Sequence, residues 1–235
     1  MLGSVDAVVL CGGKGTRLRT IISDRPKGLA PVRGRALLDI LVDDVVAQGI
    51  RRVIFCVGHL KEQIIAHFSG RREADFVFSE ETTPLGTGGA VKNAAGLIGS
   101  DPFLVMNGDS ICRVDLHTLL EFHYTNGAEL TIVVAQDRER GDAGAIGLAT
   151  DSRIRSFNEK PLTGSTVPGH INAGIYLVKR ALLDSWPRAY PFSLEHDVFP
   201  QLVGNGRCFG FAVAGAVVDI GTPERYRRAQ SDPTG

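Results

Sequence analysis

The sequence predicts an α/β fold, with a mostly parallel central sheet flanked by helices and a small, partly antiparallel layer beside it. Short apolar segments of strand length alternate with longer segments of helical periodicity. These strands are apolar along almost their whole length, which is typical of parallel sheets covered on both faces. After residue 140 the pattern changes to short strands separated by turns, which predicts the smaller layer.

The elements of the first part follow in order. A strand at residues 5–11 ends in a run of glycines, and a helix at residues 35–48 ends at Gly49. The next predicted elements are a strand at 52–57, a helix at 61–68, a strand at 74–79, a helix from about Thr87, a strand at 103–106, a helix at 116–124 and a strand at 130–135.

The second part contains predicted strands at residues 145–149, 153–157 and 174–179, with a turn-rich segment at 162–169. A chain of 235 residues can bury a substantial core, so we predict one domain over residues 1–235.

Composition excludes several classes of function. Hydrophobic residues make up 43% and charged residues 22% of the chain, and the formal net charge is zero. Without a basic surface or a run of eighteen apolar residues, we expect neither nucleic acid nor membrane as a partner. The cysteines Cys11, Cys56, Cys112 and Cys208 have no close pairing and are expected to act as small apolar residues, which favours a cytoplasmic protein. The histidines lack paired metal-ligand spacing, and His59, His117 and His123 are predicted to lie at the surface.

A glycine-rich loop follows the first strand. Residues 8–18 read VVLCGGKGTRL, and Pro26 and Lys27 come soon after. Glycines let backbone amides approach an anion closely, and Arg17 and Lys27 can neutralise a polyphosphate. The loop is not a Walker A motif, because Lys14 is followed by glycine, and Leu18 stands where a dinucleotide-binding loop needs its third glycine. It therefore predicts a triphosphate-binding loop.

This loop resembles the signature of the sugar-1-phosphate nucleotidyltransferases, and five further motifs of that family follow in order. They lie at residues 85–90 (LGTGGA), 107–109 (NGD), 159–161 (EKP), 172–176 (NAGIY) and 219–223 (DIGTP). The resemblance implies a Rossmann-like fold in which residues 1–140 mainly bind nucleotide and residues 141–229 mainly bind sugar phosphate.

The resemblance also implies roles for the cations and glycines. Arg17 would clamp the β- and γ-phosphates, since its planar fork of donors suits that geometry, and Lys27 would lie near the α-phosphate. Both are the predicted catalytic residues. The nucleotide-binding residues that the resemblance implies are Leu10, Gly12, Gly13, Gly15, Thr16, Gly86, Thr87 and Gly88.

A Mg²⁺ cofactor held by Asp109 and Asp219 is implied in the same way, since this ion takes oxygen ligands and needs only one or two carboxylates beside phosphate. Asp101 and Asp115 are expected instead to be turn and helix-cap residues. The implied sugar-phosphate-binding residues are Asn107, Glu159, Lys160, Asn172 and Gly174.

We expect one of two neighbouring carboxylates, Glu81 or Glu80, to select the nucleobase of the nucleotide substrate. An ionised carboxylate only accepts hydrogen bonds. Guanine offers two adjacent N–H donors and uracil one, so Glu81 near the second glycine loop favours GTP over another nucleoside triphosphate.

The residues of these motifs are most similar to those of the D-glycero-α-D-manno-heptose 1-phosphate guanylyltransferases. This resemblance implies transfer of GMP from GTP to that sugar 1-phosphate, with release of pyrophosphate, for surface polysaccharide synthesis. A uridylyltransferase, a mannose-1-phosphate guanylyltransferase and a non-catalytic nucleotide-sugar sensor stay open as alternatives. The sequence fits a monomer or a dimer.

Overall fold

A computed structural model describes residues 2–136, 145–158, 170–204 and 206–231. Its strands are β1 (Asp6–Leu10), β2 (Pro31–Val32), β3 (Arg35–Ala36), β4 (Arg52–Val57), β5 (Asp75–Glu80), β6 (Phe103–Asn107), β7 (Ser110–Ile111), β8 (Leu130–Gln136), β9 (Ala145–Leu148), β10 (Ile154–Asn158), β11 (His170–Val178), β12 (Cys208–Val213) and β13 (Val218–Asp219). Its α-helices are α1 (Leu37–Ala47), α2 (Lys61–Phe68), α3 (Gly86–Asn93), α4 (Leu116–Thr125), α5 (Leu182–Ser185), α6 (Phe199–Val203) and α7 (Pro223–Ser231).

The central sheet confirms the predicted fold class. β1 runs parallel to β4 on one side and to β6 on the other, and β5 lies parallel outside β4. Beyond β6 comes the antiparallel strand β11, which also pairs with β8 and β9; β10 pairs with β9, and β12 lies parallel to β8. The antiparallel strands of the second part thus continue the central sheet. Two small antiparallel pairs, β2–β3 and β7–β13, stand apart from it.

Both faces of the sheet are buried, as the continuous apolar strands predict. In β4, Val53, Phe55 and Val57 face one hydrophobic cluster, whereas Ile54 and Cys56 face the other. Successive residues of a strand point to opposite faces, so a strand buried on both sides must be apolar throughout.

The bounds of β4 and α2 agree with the predicted segments, but α1 begins two residues later than expected. Arg35 and Ala36 pair with β2 instead of joining the helix. The turn between these strands has φ +51° at Arg33 and +81° at Gly34. Such a left-handed pair makes a tight hairpin turn, and the helix starts only after the hairpin closes.

The strand predicted at 174–179 begins earlier, at His170. Its pairing with β8 shifts register between Asn172 and Tyr176, and Gly174 within that interval has φ +75°. The glycine marks a bulge inside a longer strand and does not start a new one.

Individual residues confirm some expectations and correct another. Asp115 caps α4 by accepting a hydrogen bond from the Thr118 N–H at 3.0 Å, as predicted. All four cysteines lie in the described part of the chain and are free thiols. The prediction that His123 lies at the surface is wrong, because it is only 3% exposed and its Nδ1 lies 2.8 Å from Thr131 Oγ1.

Across the described ranges, no helix combines the length and apolar character needed to span a membrane.

Candidate active site

The strands β1 and β6 end side by side, so the loops that follow them open at one edge of the sheet. Leu10 lies opposite Asn107 in their parallel pairing, and the Gly108 N–H donates to the Leu10 carbonyl over 2.9 Å. Ligands of open α/β sheets bind beyond the carboxyl ends of the strands. The predicted placement of both loops at one edge is therefore confirmed.

A cavity of about 410 Å³ lies at this edge, and we call it the large cavity. Its volume is typical of small-molecule sites. The predicted site residues in its wall are Leu10, Gly12, Gly13, Gly15, Thr16, Arg17, Lys27, Glu81, Gly86, Thr87, Asn107 and Asp109.

Close packing shapes the first glycine loop. A Cβ on Gly12 would collide with Glu81 Oε1, so a larger residue there would force this carboxylate to move. Gly15 has φ +57°, in the left-handed region that favours glycine. The buried side chain of Leu18 then anchors the end of the loop in the core. The loop backbone is held at the cavity wall, where its amides can approach an anion.

Two cations lie where the first and last parts of the chain meet. Lys27 Nζ is 2.7 Å from Asp109 Oδ2, and the lysine side chain is 14% exposed against 46% for the aspartate. A Cβ on Gly221 would lie 3.6 Å from Lys27 Nζ and 3.9 Å from Arg17 Nη2. Both predicted catalytic cations therefore border the segment that carries Asp219.

Of the two predicted metal ligands, Asp109 directly precedes β7, and Asp219 lies in β13, which pairs with β7. Asp219 in β13 lies opposite Ser110 in β7, and the Ile220 N–H donates to the Asp109 carbonyl over 3.1 Å. The Asp219 carboxylate accepts hydrogen bonds at both oxygens, from the Gly221 N–H at 2.7 Å and from Arg225 Nη1 at 3.0 Å. These contacts hold its carboxylate in one orientation.

The donor set fits Mg²⁺. Carboxylate oxygens are hard ligands, and one or two of them suffice when water and phosphate oxygens complete the octahedron. Asp109 and Asp219 supply two such groups at one edge of the sheet. Within the residues that the structure describes, no three His, Cys, Asp or Glu side chains form a metal site by themselves. A metal ion here would therefore need ligands from a bound phosphate or from water.

A smaller cavity of about 130 Å³ adjoins the large one, and we call it the small cavity. The residues that border both cavities are Arg17, Asn107, Asp109 and Gly221. The further predicted residues in the wall of the small cavity are Asn172, Gly174 and Asp219.

Asn107 and Asn172 differ in how their side chains are used. Asn107 Oδ1 is buried and accepts no hydrogen bond from the described residues. A Cβ on Gly174 would lie 2.9 Å from Asn107 Nδ2, so this glycine makes room for the asparagine. Asn172 instead accepts from the Gly174 N–H at 2.9 Å and donates to the Tyr176 hydroxyl at 2.8 Å. Because unpartnered buried acceptors are rare, Asn107 Oδ1 is expected to accept a hydrogen bond from a bound molecule or from water, whereas the Asn172 side chain supports the bulge.

The second glycine loop packs against Phe192. Gly86 has φ +77°, and a Cβ on it would lie 2.3 Å from the Phe192 carbonyl oxygen. The N–H groups of Gly88 and Gly89 both donate to that oxygen, at 3.1 and 3.2 Å. Gly88 lies outside the walls that the described residues give to the two cavities. The structure therefore does not bring Gly88 together with the other predicted nucleotide-binding residues.

Thr87 reaches the same segment through its hydroxyl. Thr87 Oγ1 donates to Glu195 Oε2 at 2.7 Å and accepts from the Leu194 N–H at 2.9 Å. The Ser193 hydroxyl also donates to Glu195 Oε2 at 2.7 Å. We call residues 192–195 the bracing segment, because they hold the start of α3 at the cavity wall.

Glu81 lies in the wall of the large cavity, and Glu80 does not. Glu81 Oε2 accepts from the Leu85 N–H at 2.9 Å, and burial raises the pKa of its carboxyl, although that hydrogen bond lowers it in part. Glu80 is exposed and lies 2.8 Å from Lys61 Nζ. Since consecutive residues at the end of β5 point to opposite sides, only one of the two faces the cavity.

Comparison with known proteins agrees with the motifs. Residues 6–234 match the family model described as nucleotidyl transferase. The chain belongs to the nucleotidyl transferase family.

Two curated relatives specify the family further. The mannose-1-phosphate guanylyltransferase of Mycobacterium tuberculosis is 36% identical over 234 residues, which are 97% of this chain and 64% of that protein. The D-glycero-α-D-manno-heptose 1-phosphate guanylyltransferase of Aneurinibacillus thermoaerophilus is 33% identical over 229 residues, which are 97% of this chain and 98% of that protein. The chain spans less than two thirds of the first relative and nearly all of the second. Both are sugar-1-phosphate guanylyltransferases, so the predicted enzyme family is confirmed.

Solved structures confirm the Rossmann-like fold. HddC from Yersinia pseudotuberculosis, complexed with GMP-PN, is 31% identical with a TM-score of 0.83, covering 96% of this chain and 98% of that one. A putative glucose-1-phosphate thymidylyltransferase from Bacillus anthracis has a TM-score of 0.85 at 18% identity, covering 97% of this chain and 94% of that one, and shows the fold alone.

Sequence reasoning missed the residues that hold the predicted ones in place. Arg225 lies in the first turn of α7, and Thr222 with Pro223 is a recognisable helix start that could have drawn attention to it. No local pattern indicates that Glu195 reaches Thr87. Glu159 and Lys160 lie outside the described residues.

A further cavity of about 330 Å³ is not a candidate for phosphate chemistry. Its wall is mainly apolar, with Ile40, Leu41 and Met106 among its residues, and it includes the ion pair of Arg35 with Asp43. None of the predicted site residues in the described part of this nucleotidyl transferase lines it.

Proposed function

We propose that this protein transfers the GMP group of GTP to a sugar 1-phosphate, with Mg²⁺ as cofactor, giving a GDP-sugar and pyrophosphate. The observation that carries the proposal is the large cavity, which gathers the glycine loop, Arg17, Lys27 and Asp109 at the carboxyl edge of β1 and β6. We favour D-glycero-α-D-manno-heptose 1-phosphate as acceptor, because the relative that acts on it matches this chain over 98% of its own length. Its product would serve surface polysaccharide synthesis.

The proposed reaction needs no general base. A phosphate monoester has its second pKa near about 6, so the acceptor oxygen is already ionised at neutral pH. That oxygen forms a bond to the α-phosphorus of GTP, and the bond from this phosphorus to the bridging oxygen of the β-phosphate breaks. The bonding electrons leave with pyrophosphate. The protein has to bring two anions into line and to stabilise the charge on the leaving group.

Lys27 and Arg17 suit these two tasks. Lys27 is mostly buried beside Asp109, and an ammonium in this position can counter the charge that gathers at the α-phosphate. Arg17 follows the glycines of the loop, is exposed and lines the large cavity. Its guanidinium can there hold two oxygens of the departing pyrophosphate. Preorganised charge of this kind is commonly worth about 3–4 kcal/mol at a transition state.

Asp109 and Asp219 would hold the metal ion. Mg²⁺, when bound, would neutralise part of the negative charge on the phosphate oxygens of the two substrates. The protein's own contribution is to set one carboxylate just before β7 and the other in β13, with Asp219 oriented by the Gly221 N–H. In the free protein, Lys27 and Arg225 pair with these carboxylates.

Mannose 1-phosphate is the second candidate acceptor. The mannose-1-phosphate guanylyltransferase of M. tuberculosis is 36% identical, slightly more than the heptose relative. Both relatives are named as guanylyltransferases, so the two candidate reactions use the same nucleotide and differ only in the sugar.

The test is pyrophosphate release with Mg²⁺, measured for four nucleoside triphosphates against a panel of sugar 1-phosphates. We expect release with GTP and the manno-heptose 1-phosphate, and Asp109→Asn should reduce the rate by about 100-fold or more. Glu62→Gln, which changes an exposed carboxylate on α2, is the matched control and should keep the wild-type rate. Release with GTP and mannose 1-phosphate alone would favour the second candidate. No release with any pair by folded protein would contradict the proposed activity.

A further inference from the structure

Lys14 and Arg19 carry two positive charges, one on each side of Arg17 in the chain, that the proposed reaction does not use. Both side chains are exposed. Within the described ranges, neither makes an ion pair or a side-chain hydrogen bond. Lys27, by contrast, is 2.7 Å from the Asp109 carboxylate. The described carboxylates of the protein therefore leave the charges of Lys14 and Arg19 uncompensated.

A narrow crevice lies beside the glycine loop, and we call it the outer crevice. Its wall contains the cations Lys14, Arg19, Arg25 and Lys27 and no carboxylate from the described part of the chain. Arg25 is paired with Asp24, whose carboxylate lies 2.7 Å away and outside that wall. At about 10 Å³ the crevice is too small for a nucleotide. An anion attracted by these cations would therefore lie across its opening.

The outer crevice and the large cavity meet at the glycine loop. Lys14, Gly15 and Lys27 border both of them. The chain turns sharply here, since the Arg19 N–H donates to the Gly15 carbonyl at 3.2 Å. Arg19 then borders the outer crevice, whereas Arg17 borders the large cavity. An anion that extends from the large cavity over Gly15 would reach Lys14 and Arg19.

The charge of a nucleoside triphosphate calls for such additional cations. A triphosphate carries about four negative charges near neutral pH, and two of them lie on its terminal phosphate, whose second pKa is about 6. The charged groups that the described residues give to the large cavity are the cations Lys14, Arg17 and Lys27 and the carboxylates of Glu81 and Asp109. The terminal phosphate is the part of GTP farthest from its base, so it has to be bound away from Glu81.

We propose that Lys14 and Arg19 bind the terminal phosphate of GTP at the opening of the outer crevice, together with Arg17, and keep hold of that phosphate in the pyrophosphate that is released. The inference rests on the proposed function and extends it by two binding residues. It makes the outer crevice the place where the protein distinguishes a triphosphate from a nucleotide with fewer phosphates.

Calorimetry of Lys14→Gln and Arg19→Gln tests this role without turnover. GTP, GMP and inorganic pyrophosphate are titrated into the protein with Mg²⁺ and without a sugar 1-phosphate. Each variant should weaken binding of GTP and of pyrophosphate by about 5- to 20-fold, as expected for loss of a charged hydrogen bond at an exposed site. GMP lacks the terminal phosphate, so its affinity should stay within about twofold of the wild-type value. Added salt should reduce the difference between wild type and variants, because exposed charges are screened.

Kinetics of the reverse reaction give a second measurement, with a GDP-sugar and pyrophosphate as substrates. Arg19→Gln should raise KM for pyrophosphate by about 5- to 20-fold and change KM for the GDP-sugar by less than about twofold, because the GDP-sugar has no group in the place of the pyrophosphate. Arg19→Lys should recover part of the loss, since it keeps the charge. Arg227→Gln changes an exposed arginine on α7 that lines neither the cavities nor the outer crevice. It is the matched control and should behave as the wild type.

Four results would overturn the inference. Unchanged affinity for GTP and pyrophosphate in both variants would remove Lys14 and Arg19 from the site while leaving the proposed function intact. Equal losses for GMP and GTP would indicate that the changes distort the glycine loop. A loss of the same size in Arg25→Gln, whose guanidinium pairs with Asp24, would indicate a diffuse surface charge instead of a binding site. If the wild type bound neither GTP nor pyrophosphate, the proposed function itself would fail, and this inference with it.

Discussion

At the scale of single residues, Glu81 is the side chain on which base choice depends in the proposed function. Gly12 leaves the space that its carboxylate fills, and the Leu85 N–H holds one of its oxygens. Glu80, the alternative that the sequence left open, is exposed and pairs with Lys61. Both observations favour Glu81 as the acceptor for the N–H groups of guanine.

Glu81→Gln should therefore weaken the preference for GTP over UTP by about tenfold or more, because the amide replaces a charged acceptor with a neutral one. The measurement is kcat/KM for each nucleotide at a fixed sugar 1-phosphate concentration. Glu80→Gln is the matched control, since it changes the neighbouring carboxylate outside the cavity. A GTP-to-UTP ratio that is the same in Glu81→Gln as in the wild type would assign base reading to other residues.

At the scale of elements, α3 and the bracing segment act as a unit. The first N–H groups of α3 donate to the Phe192 carbonyl, and Glu195 accepts from both Thr87 and Ser193. The glycines at 86 and 88 are needed for this packing, since a Cβ at either would collide with Phe192. The shape of the second glycine loop therefore depends on a segment about a hundred residues further along the chain.

Glu195→Ala tests this coupling. Removing the shared acceptor leaves two hydroxyls without their partner and should lower the free energy of unfolding by about 1–3 kcal/mol. It should also raise KM for GTP more than KM for the sugar 1-phosphate, because only the wall of the large cavity is loosened. Urea unfolding and steady-state kinetics measure the two effects, with Glu121→Ala on the exposed face of α4 as control. Equal changes in both KM values would contradict a local effect on the nucleotide site.

At the scale of the whole molecule, strands from distant parts of the chain complete the sheet and the site. β11 joins β6 to β8, and β12 then adds to β8 from near the end of the chain. β13 follows and carries Asp219 to β7 beside Asp109. The pair of carboxylates thus forms only when β13, near the end of the described chain, has paired with β7 beside the central sheet.

His123 links this assembly to pH. It is buried between α4 and β8 against Thr131, and burial, with Lys179 adding to it, lowers its pKa to about 4 from an ordinary 6.5. In the unfolded chain, His123 therefore becomes protonated as the pH falls below 6.5, whereas in the folded protein it stays neutral until about pH 4. Stability is full above pH 6.5 and should fall by at most about 3 kcal/mol as the pH drops through this window.

Urea unfolding at pH 7 and pH 4.5 measures this loss. His123→Gln, which cannot titrate, should lose less stability between the two pH values than the wild type, whereas His117→Gln, which removes an exposed histidine, should follow the wild type. Equal losses in wild type and His123→Gln would show that other groups carry the pH dependence.

Local patterns were enough to predict most elements. β4 and α2 were predicted to the residue, since an apolar run and a helical period each depend only on near neighbours in the chain. The hairpin before α1 and the bulge in β11 were missed, because Arg33 and Gly174 adopt left-handed conformations that the packing around them selects.

The sequence by itself determined the order of the motifs, the α/β fold and the edge of the sheet at which the loops gather, because each follows from local residue patterns and from the ends of parallel strands. Only the tertiary structure decided that Arg225 holds Asp219, that Lys27 holds Asp109, that Glu81 rather than Glu80 faces the cavity and that His123 is buried. These pairings join segments far apart in the chain. Their geometry depends on how the strands assemble into the sheet, and no local sequence pattern specifies that assembly.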